Sequence, residues 1–205
     1  MARRRIRQPE PSVNHEGIMP VPQRDETADC GDDVYIESDG SIGAMEEKIE
    51  VKVGELLREK GLTLAVAESC TGGLVGHLLT NVPGSSEYFR GGVVAYAYGA
   101  KERLLGVRHK TLYEFGAVSE QTAREMAHGA RSALSADIGL SVTGIAGPGG
   151  GMPDKPVGLA WAAVSAREGD WVERNVWDGD REGNKSASAV GALALLLKVL
   201  EMNIE

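Results

Sequence analysis

The feature that most constrains the fold of this chain is a series of three segments at residues 62–79. An apolar run comes first, a turn of small and hydroxyl-bearing residues follows it, and a segment with apolar residues at helical spacing comes last. Residues 62–67 predict a buried strand, and residues 74–79 predict a helix. The turn between them, residues 68–73, reads Glu-Ser-Cys-Thr-Gly-Gly. Such a unit directs backbone N–H groups and a helix N-terminus at one point, where an anion or a developing oxyanion is stabilised.

A second glycine-rich turn, residues 143–151, follows the strand-like run 138–143. Two turns of this kind in one small domain predict a site that is built from loops at one edge of a sheet. The second turn matches neither the dinucleotide-binding fingerprint nor the P-loop. Its glycines would let the backbone approach a phosphate or a ring closely.

The order of the other segments predicts the fold class. Strand-like runs alternate with helical segments, and the last two strands are expected to form a hairpin around residues 168–170. Ser119 is the expected N-cap of one helix, and a long terminal helix is predicted over residues 182–202. The pattern predicts an α/β fold, a three-layer α/β/α domain with a mixed, mostly parallel central sheet. The predicted strands are residues 62–67, 89–98, 138–143, 157–166 and 171–177.

Composition separates an N-terminal extension from this domain. Residues 1–43 carry four of the eight prolines, an acidic patch at 25–39 and little apolar periodicity, so a flexible extension is predicted there. The short run 34–36, Val-Tyr-Ile, leaves open an added strand or a contact with a partner. Residues 44–205 form the predicted domain.

Charge and cysteine content narrow the class of protein. A net charge of -8 argues against a nucleic-acid partner, because phosphate binding needs clustered Lys and Arg, although a local basic pocket for a phosphorylated small molecule stays open. Cys30 in the extension and Cys70 in the first turn are not an expected disulfide pair, which favours a reducing compartment. The longest apolar run, residues 192–200, is too short to span a membrane. These features predict a soluble cytoplasmic protein with no membrane partner.

Ser69 is the candidate nucleophile of the first turn. A serine hydroxyl needs a base to take its proton, and that base is most often a histidine. Lys101, just beyond the second predicted strand, could reach the same sheet edge and act as the base if burial lowers the pKa of its amine. A surface lysine at a helix start is the alternative interpretation. The histidines lie in the extension or in helical segments, where surface or packing roles are expected: His15, His77, His109 and His128.

Three further residues have both a chemical and a structural interpretation. The hydroxyl of Thr143 could link Ser69 to Lys101, bind substrate, or cap the turn that follows. Arg181, after Asp180, could bind an anion, or the pair could form the cap and first turn of a helix. The thiol of Cys70 ranks below Ser69 as a nucleophile because no histidine adjoins it. No cluster of Cys, His and carboxylate residues has the spacing of a metal site, so no metal is predicted.

Together these motifs resemble the C-terminal domain of the competence/damage-inducible CinA family, the nicotinamide-nucleotide amidohydrolases or nicotinamide mononucleotide deamidases. The matching blocks occur in the family's order between Met45 and Glu205, and the N-terminal extension is not covered. The resemblance is to the stand-alone form, without the larger nucleotide-processing domain. The blocks are residues 67–73, 83–86, 91–96, 101, 104–107, 116–119, 143–148, 155–158 and 179–181.

The resemblance implies hydrolysis of the carboxamide of nicotinamide mononucleotide to nicotinate mononucleotide and ammonia, a step of pyridine nucleotide salvage. It implies a small-molecule pyridine nucleotide as partner, no metal and no organic cofactor, and it leaves a homo-oligomer open. The family's serine nucleophile falls on Ser69, its lysine base on Lys101 and its hydroxyl residue on Thr143. The candidate substrate-binding residues are Glu68, Cys70, Thr71, Gly72, Gly73, Tyr96, Gly144, Gly147 and Arg181.

The mechanism expected from these roles is a two-step acyl transfer. Neutral Lys101 takes the proton of Ser69 as the serine attacks the amide, and the N–H groups of residues 70–73 stabilise the oxyanion. Lys101, directly or through Thr143, then delivers the proton to the leaving ammonia, and water hydrolyses the ester. Glu68 could orient the turn or pair with Lys101.

One segment departs from the family pattern. Members commonly carry Ser-Asn-Glu between the tyrosine and the lysine, and this chain has residues 97–99, Ala-Tyr-Gly, in that place. The departure leaves the nucleophile and the base in place but changes side-chain contacts beside them. It keeps two alternatives open: a non-catalytic interaction or nucleotide-binding module associated with competence or DNA repair, and an amidohydrolase that acts on a different amide.

Overall fold

The computed structural model describes residues 34–36, 42–44 and 47–202, and the chain divides into two units, residues 1–45 and 46–205. In the first unit, strand β1 (Val34–Ile36) pairs antiparallel with β2 (Ile42–Ala44). The run for which a strand was left open therefore forms one. The rest of the predicted flexible extension, residues 1–43, lies outside the described residues.

The second unit contains five strands, six α-helices and one short 3₁₀ helix (Ser85–Glu87) within the described residues. The strands are β3 (Leu64–Glu68), β4 (Phe89–Val94), β5 (Ile138–Gly144), β6 (Leu159–Ser165) and β7 (Asp170–Val176). The helices are α1 (Ile49–Lys60), α2 (Leu74–Thr80), α3 (Tyr98–Leu105), α4 (His109–Glu114), α5 (Glu120–Ala133) and α6 (Arg181–Glu201).

The five strands form one mixed sheet in the order β4-β3-β5-β6-β7. Strand β3 is parallel to both of its neighbours, whereas β6 is antiparallel to β5 and to β7. The predicted mixed α/β/α fold is confirmed, but parallel and antiparallel pairs are equal in number rather than mostly parallel. The reason lies between β5 and β6, where the chain has a loop and no crossover helix, so β6 returns antiparallel.

Local sequence signals explain several element boundaries. Ser119 caps α5 as predicted, because its hydroxyl accepts a hydrogen bond from the N–H of Thr122. Gly61 ends α1 in the left-handed conformation, at φ 64°. The pairing of β3 with β4 shifts by one residue between Phe89 and Gly91, which leaves Arg90 without a partner residue in β3. Strand β4 ends at Val94, earlier than predicted, and α3 starts at Tyr98.

Strand β3 is buried along its whole length because helices cover both of its faces. Leu64 and Val66 belong to the core cluster that includes residues of α1, α2 and α6, and Ala65 and Ala67 belong to the cluster that includes residues of α3, α4 and α5. The carboxyl ends of β3, β4 and β5 meet at one edge of the sheet, where β6 also begins and β7 ends. The loops of both glycine-rich turns therefore lie along one edge.

Candidate active site

The structure brings the hydroxyl of Ser69 and the amine of Lys101 together. Ser69 follows β3 directly, and its backbone N–H donates to the carbonyl of Val142 at 3.0 Å, which fixes the residue at the strand end. The Nζ atom of Lys101 lies 2.8 Å from Ser69 Oγ. Ser69 is 8% exposed and Lys101 is 0% exposed. The predicted nucleophile and base are thus in direct contact in a dry position.

Three oxygens surround the amine of Lys101. Besides Ser69 Oγ, it faces the carbonyl oxygens of Ala95 at 2.6 Å and Tyr96 at 3.4 Å. A lysine side chain in a helix points toward the helix N-terminus, so Lys101 in α3 reaches back to these residues. An ammonium can donate to all three oxygens. A neutral amine can donate to the two carbonyls and turn its lone pair to the serine proton.

Burial makes the neutral amine accessible near neutral pH. It lowers the pKa of Lys101 from 10.5 to about 8, and the negative charge of a Cys70 thiolate would oppose this shift. With a pKa of about 8, roughly a tenth of the amine is neutral at pH 7. The arrangement therefore contains a usable base without a histidine. The described histidines make surface contacts instead, His77 with Asn81, His109 with Glu102 and His128 with Asp170.

Glu68 anchors the turn rather than the lysine. Its Oε2 accepts from the hydroxyl of Thr71 at 2.6 Å and from the N–H groups of Gly73 at 2.9 Å and Val75 at 3.2 Å, and its Oε1 accepts from Gly76 N–H at 2.9 Å. Among the ion pairs of the described residues, none joins Glu68 to Lys101. Of the two roles open for Glu68, the structure therefore supports orientation of the turn.

We expect Glu68→Gln to lower the free energy of unfolding by about 1–3 kcal/mol, because an amide nitrogen cannot accept the hydrogen bonds that one carboxylate oxygen accepts. Urea denaturation of the purified variant measures this loss. Glu55→Gln is the matched control, since Glu55 is exposed on α1. Equal stability of the two variants would contradict the anchoring role.

Three backbone N–H groups of the turn have no oxygen acceptor. Gly72 and Gly73 have positive φ angles of 67° and 106°, which glycine adopts without strain. The N–H of Gly73 is taken by Glu68. No oxygen atom of the described residues accepts a hydrogen bond from the N–H groups of Cys70, Thr71 and Gly72, although those of Cys70 and Thr71 interact with the Cys70 sulfur, a weak acceptor. These three, rather than all four of the expected donors, remain candidates for an oxyanion hole.

Cys70 is packed as a buried thiol. Burial is the main cause that raises its pKa to about 11, so the thiolate is scarce at neutral pH. A Cβ atom added to Gly144 would lie 3.1 Å from the Cys70 sulfur and 2.6 Å from the Leu159 carbonyl oxygen. Gly144 thus permits close packing at the end of β5. These contacts favour Ser69 over Cys70 as the nucleophile.

Thr143 does not form the predicted link between Ser69 and Lys101. The residue is fully buried, and its Oγ1 donates to the carbonyl of Ala117 at 2.7 Å because the loop before α5 passes over the end of β5. A hydroxyl has one proton, so Thr143 can only accept further hydrogen bonds. A substrate contact through its lone pairs stays a prediction.

Arg181 connects three loops beside the serine turn. Its Nη1 donates to the carbonyl of Gly147 at 2.6 Å, and its Nη2 donates to the hydroxyl of Tyr96 at 3.3 Å. Asp180 caps α6 by accepting from Gly183 N–H at 2.8 Å, so the capping interpretation of this pair is correct. A cavity of about 470 Å³ lies next to these contacts of Arg181. It is lined by Ala146, Pro148, Val157, Gly179, Asp180, Arg181 and Glu182.

Some residues that shape the site are missing from the sequence prediction. The carbonyls of Ala95 and Ala117 hold Lys101 and Thr143, and backbone groups give no sequence signal. Asn184 is buried on α6 and donates to the carbonyls of Ala146 at 3.1 Å and Gly179 at 2.9 Å, which joins the second glycine-rich turn to α6. Its position gave little sequence signal, because Asn184 lies among the polar residues of the first turns of α6, before the apolar part that starts at Val190.

Within residues 47–202 and the two short strands, no group of three or more His, Cys, Asp and Glu side chains could hold a metal ion. None of the described helices combines the length and apolar character needed to cross a membrane.

Comparison with known proteins assigns the family. The family model described as the CinA C-terminal domain matches residues 46–200. This chain belongs to the CinA C-terminal domain family. The match covers the five-stranded sheet, α1 to α5, all but the last residue of α6, and both Ser69 and Lys101.

Several relatives share this CinA domain. A "CinA-like protein" from Geobacter sulfurreducens is 49% identical over 170 residues, which cover 83% of this chain and 40% of that protein. A relative from Clostridioides difficile, whose name refers to competence-damage induction, is 51% identical over 164 residues, covering 80% of this chain and 39% of that protein. The chain therefore spans about two fifths of the length of these relatives.

Solved structures of CinA proteins have the same fold. The competence/damage inducible protein CihA from Agrobacterium tumefaciens is 41% identical with a TM-score of 0.69, and the match covers 78% of this chain and 99% of that one. The competence damage-inducible protein A from Klebsiella pneumoniae is 34% identical with a TM-score of 0.74, covering 76% of this chain and 97% of that one.

Proposed function

We propose that this CinA-family chain hydrolyses the carboxamide of nicotinamide mononucleotide to nicotinate mononucleotide and ammonia. The observation that carries the proposal is the 2.8 Å contact between Lys101 Nζ and Ser69 Oγ in a buried position. A serine that is activated in this way is suited to acyl transfer from an amide. The family resemblance supplies the substrate, which carries such an amide on a pyridinium ring.

In the first step, Ser69 Oγ bonds to the amide carbon while its proton passes to the lone pair of Lys101. The carbonyl oxygen becomes an oxyanion, and the N–H groups of Cys70, Thr71 and Gly72 are its proposed donors. A single donor of this kind contributes about 10²–10³ in kcat. Their fixed backbone positions in the Glu68-anchored turn mean that little reorganisation is needed as the charge develops.

In the second step, the carbon–nitrogen bond breaks and protonated Lys101 gives its proton to the leaving nitrogen. Thr143 can accept a hydrogen bond from that nitrogen, since its own proton is donated to Ala117. Water then attacks the ester carbon and gives a proton to Lys101, which returns it to Ser69. Each step uses side chains and backbone groups of this chain alone.

Arg181 and the cavity that it lines form the proposed binding site for the rest of the nucleotide. A guanidinium matches a phosphate in charge and in hydrogen-bond geometry. Arg181 lies beside a cavity of about 470 Å³, and it contacts Tyr96, whose carbonyl faces the amine of Lys101. A ligand that spans the serine and this cavity would have its amide and its phosphate at opposite ends.

Two other functions remain to be tested against this one. A non-catalytic interaction or nucleotide-binding module is favoured by the altered segment at residues 97–99, and the intact Ser69–Lys101 contact opposes it. An amidohydrolase acting on another amide would use the same dyad with a different binding site.

Ammonia release from a panel of amides distinguishes these functions. We expect kcat/KM for nicotinamide mononucleotide to exceed that for nicotinamide by at least about 10²-fold, because remote binding energy supports the chemical step. The panel includes nicotinamide riboside and benzamide, and Lys101→Ala is the inactive control. Higher turnover of a simple amide would identify a different substrate, and no turnover of any amide would favour the binding module.

A further inference from the structure

The segment that departs from the family pattern, residues 97–99, places an aromatic residue three positions before the base on the same helix. Tyr98 is the first residue of α3 and is 42% exposed, where members commonly carry a short polar residue. Residues three positions apart on a helix are neighbours on its surface, so Tyr98 and Lys101 share one face of α3. Lys101 extends toward the helix N-terminus, and its side chain therefore runs past the position of Tyr98.

The hydroxyl of Tyr98 contacts the loop that holds Thr143. It accepts a hydrogen bond from the N–H of Ala117 at 3.3 Å. The carbonyl of the same residue, Ala117, accepts from Thr143 Oγ1 at 2.7 Å. Ala117 is therefore hydrogen-bonded to Tyr98 of α3 through its N–H and to Thr143 of β5 through its carbonyl.

The ring of Tyr98 is held from the other side by α4. It packs edge-to-face on Tyr113, with ring centroids 6.0 Å apart and planes at 80°. The ring centroids of Tyr113 and His109 are 4.1 Å apart. His109 Nδ1 is in turn 2.8 Å from the carboxylate of Glu102 in α3. The contacts run from α3 to α4 and back to α3, which fixes the start of the helix that carries Lys101.

We propose that Tyr98 is a positioning residue, which ties the helix of Lys101 to the loop that holds Thr143 and so keeps the lysine amine on the hydroxyl of Ser69. The kinetic part of this proposal rests on the proposed function, whereas the state of the lysine amine does not.

The pKa of the Lys101 amine offers a way to measure the positioning role of Tyr98. The buried thiol of Cys70 is the titratable neighbour that acts on the amine. The carboxylate of Glu68 is directed at the N–H groups of the serine turn and α2. Burial is therefore the main cause of the lowered pKa of Lys101. Loss of the contacts that hold Tyr98 to Tyr113 and Ala117 would loosen the start of α3, let water reach the lysine amine and raise this pKa toward 10.5.

The experiment compares Tyr98→Phe and Tyr98→Ala with Tyr113→Phe as the matched control. The control removes a phenolic oxygen from the same cluster, and that oxygen makes no hydrogen bond within the described residues. Two quantities are measured: kcat for nicotinamide mononucleotide as a function of pH, and the titration midpoint of the Lys101 amine by NMR of selectively labelled lysine. The NMR titration needs no substrate.

We expect Tyr98→Phe to lower kcat about 2- to 10-fold with an unchanged midpoint, because only the hydrogen bond to Ala117 is lost. Tyr98→Ala should lower kcat at pH 7 by about 10- to 100-fold and raise the midpoint by about one pH unit, with partial recovery of kcat at alkaline pH. Tyr113→Phe should match the wild type.

The proposal is wrong if Tyr98→Ala keeps both the wild-type kcat and the wild-type midpoint. If Tyr98→Ala does not fold, a kcat of Tyr98→Phe equal to that of Tyr113→Phe overturns the tie to Ala117. A wild-type protein that hydrolyses no nucleotide refutes the proposed function alone. In that case a raised Lys101 midpoint in Tyr98→Ala still supports the positioning role.

Discussion

Ser69→Ala is expected to abolish hydrolysis of nicotinamide mononucleotide, with a fall in kcat of at least about 10³-fold, as for the loss of other serine nucleophiles. The fold should survive, because the change removes one oxygen whose hydrogen-bond partner is the amine of Lys101. The backbone bond from Ser69 to Val142 does not involve the side chain and stays in place.

Steady-state ammonia release by the purified variant, with circular dichroism as the check on folding, measures the effect. Cys70→Ser is the matched control, because it changes the neighbouring residue of the same turn and should keep substantial activity. Wild-type turnover in Ser69→Ala would refute the nucleophile. A folded but inactive Cys70→Ser variant would make Cys70 the nucleophile instead.

Lys101→Arg should bind nicotinamide mononucleotide yet fail in the chemical step, with a loss in kcat of at least about 10³-fold because a guanidinium cannot accept a proton at ordinary pH. The substitution keeps the positive charge, so it separates charge from proton transfer. Lys101→Ala should be equally slow and should be partly rescued by small exogenous amines. Turnover of Lys101→Arg within a few-fold of the wild type would mean that the lysine supplies only charge.

The wild-type pH profile tests the same base without a mutation. Because the neutral amine is the active form and burial lowers its pKa to about 8, kcat should rise with pH and level off above this value. It should fall tenfold for each pH unit well below it, as the ammonium becomes dominant. A profile that is flat between pH 6 and about 9 would exclude Lys101 as the base.

Local chemistry explains why most elements could be predicted and why Ser69 and Lys101 could be selected as candidates. The strand of residues 64–68 and its turn depend on a short apolar run and on Gly72 and Gly73, all within a few positions of the chain. The cap at Ser119 depends on the N–H of Thr122, three residues away. Ser69 and Lys101 were identified because hydroxyl turns and motif blocks are also local features.

The function of each polar group was decided by contacts between distant parts of the chain. The sequence left Glu68 with two partners, and only the folded turn shows that its oxygens face α2 and the serine loop rather than Lys101. Thr143 was expected beside Ser69 and Lys101, but its hydroxyl donates a hydrogen bond to the carbonyl of Ala117, 26 residues away. A hydrogen bond needs a donor and an acceptor within about 3 Å, which no spacing along the chain specifies.

Strand direction separates most clearly what the sequence determines from what only the tertiary structure decides. The sequence by itself predicted strands over residues 138–143 and 157–166, because their apolar content and length are local properties, and the structure has these strands at Ile138–Gly144 and Leu159–Ser165. It did not determine that they pair antiparallel, because direction depends on how a loop without a helix returns to the sheet. In the same way, the sequence supplied a serine and a lysine, and the shared sheet edge brought atoms of residues 32 positions apart to 2.8 Å in a buried place where the amine can lose its proton.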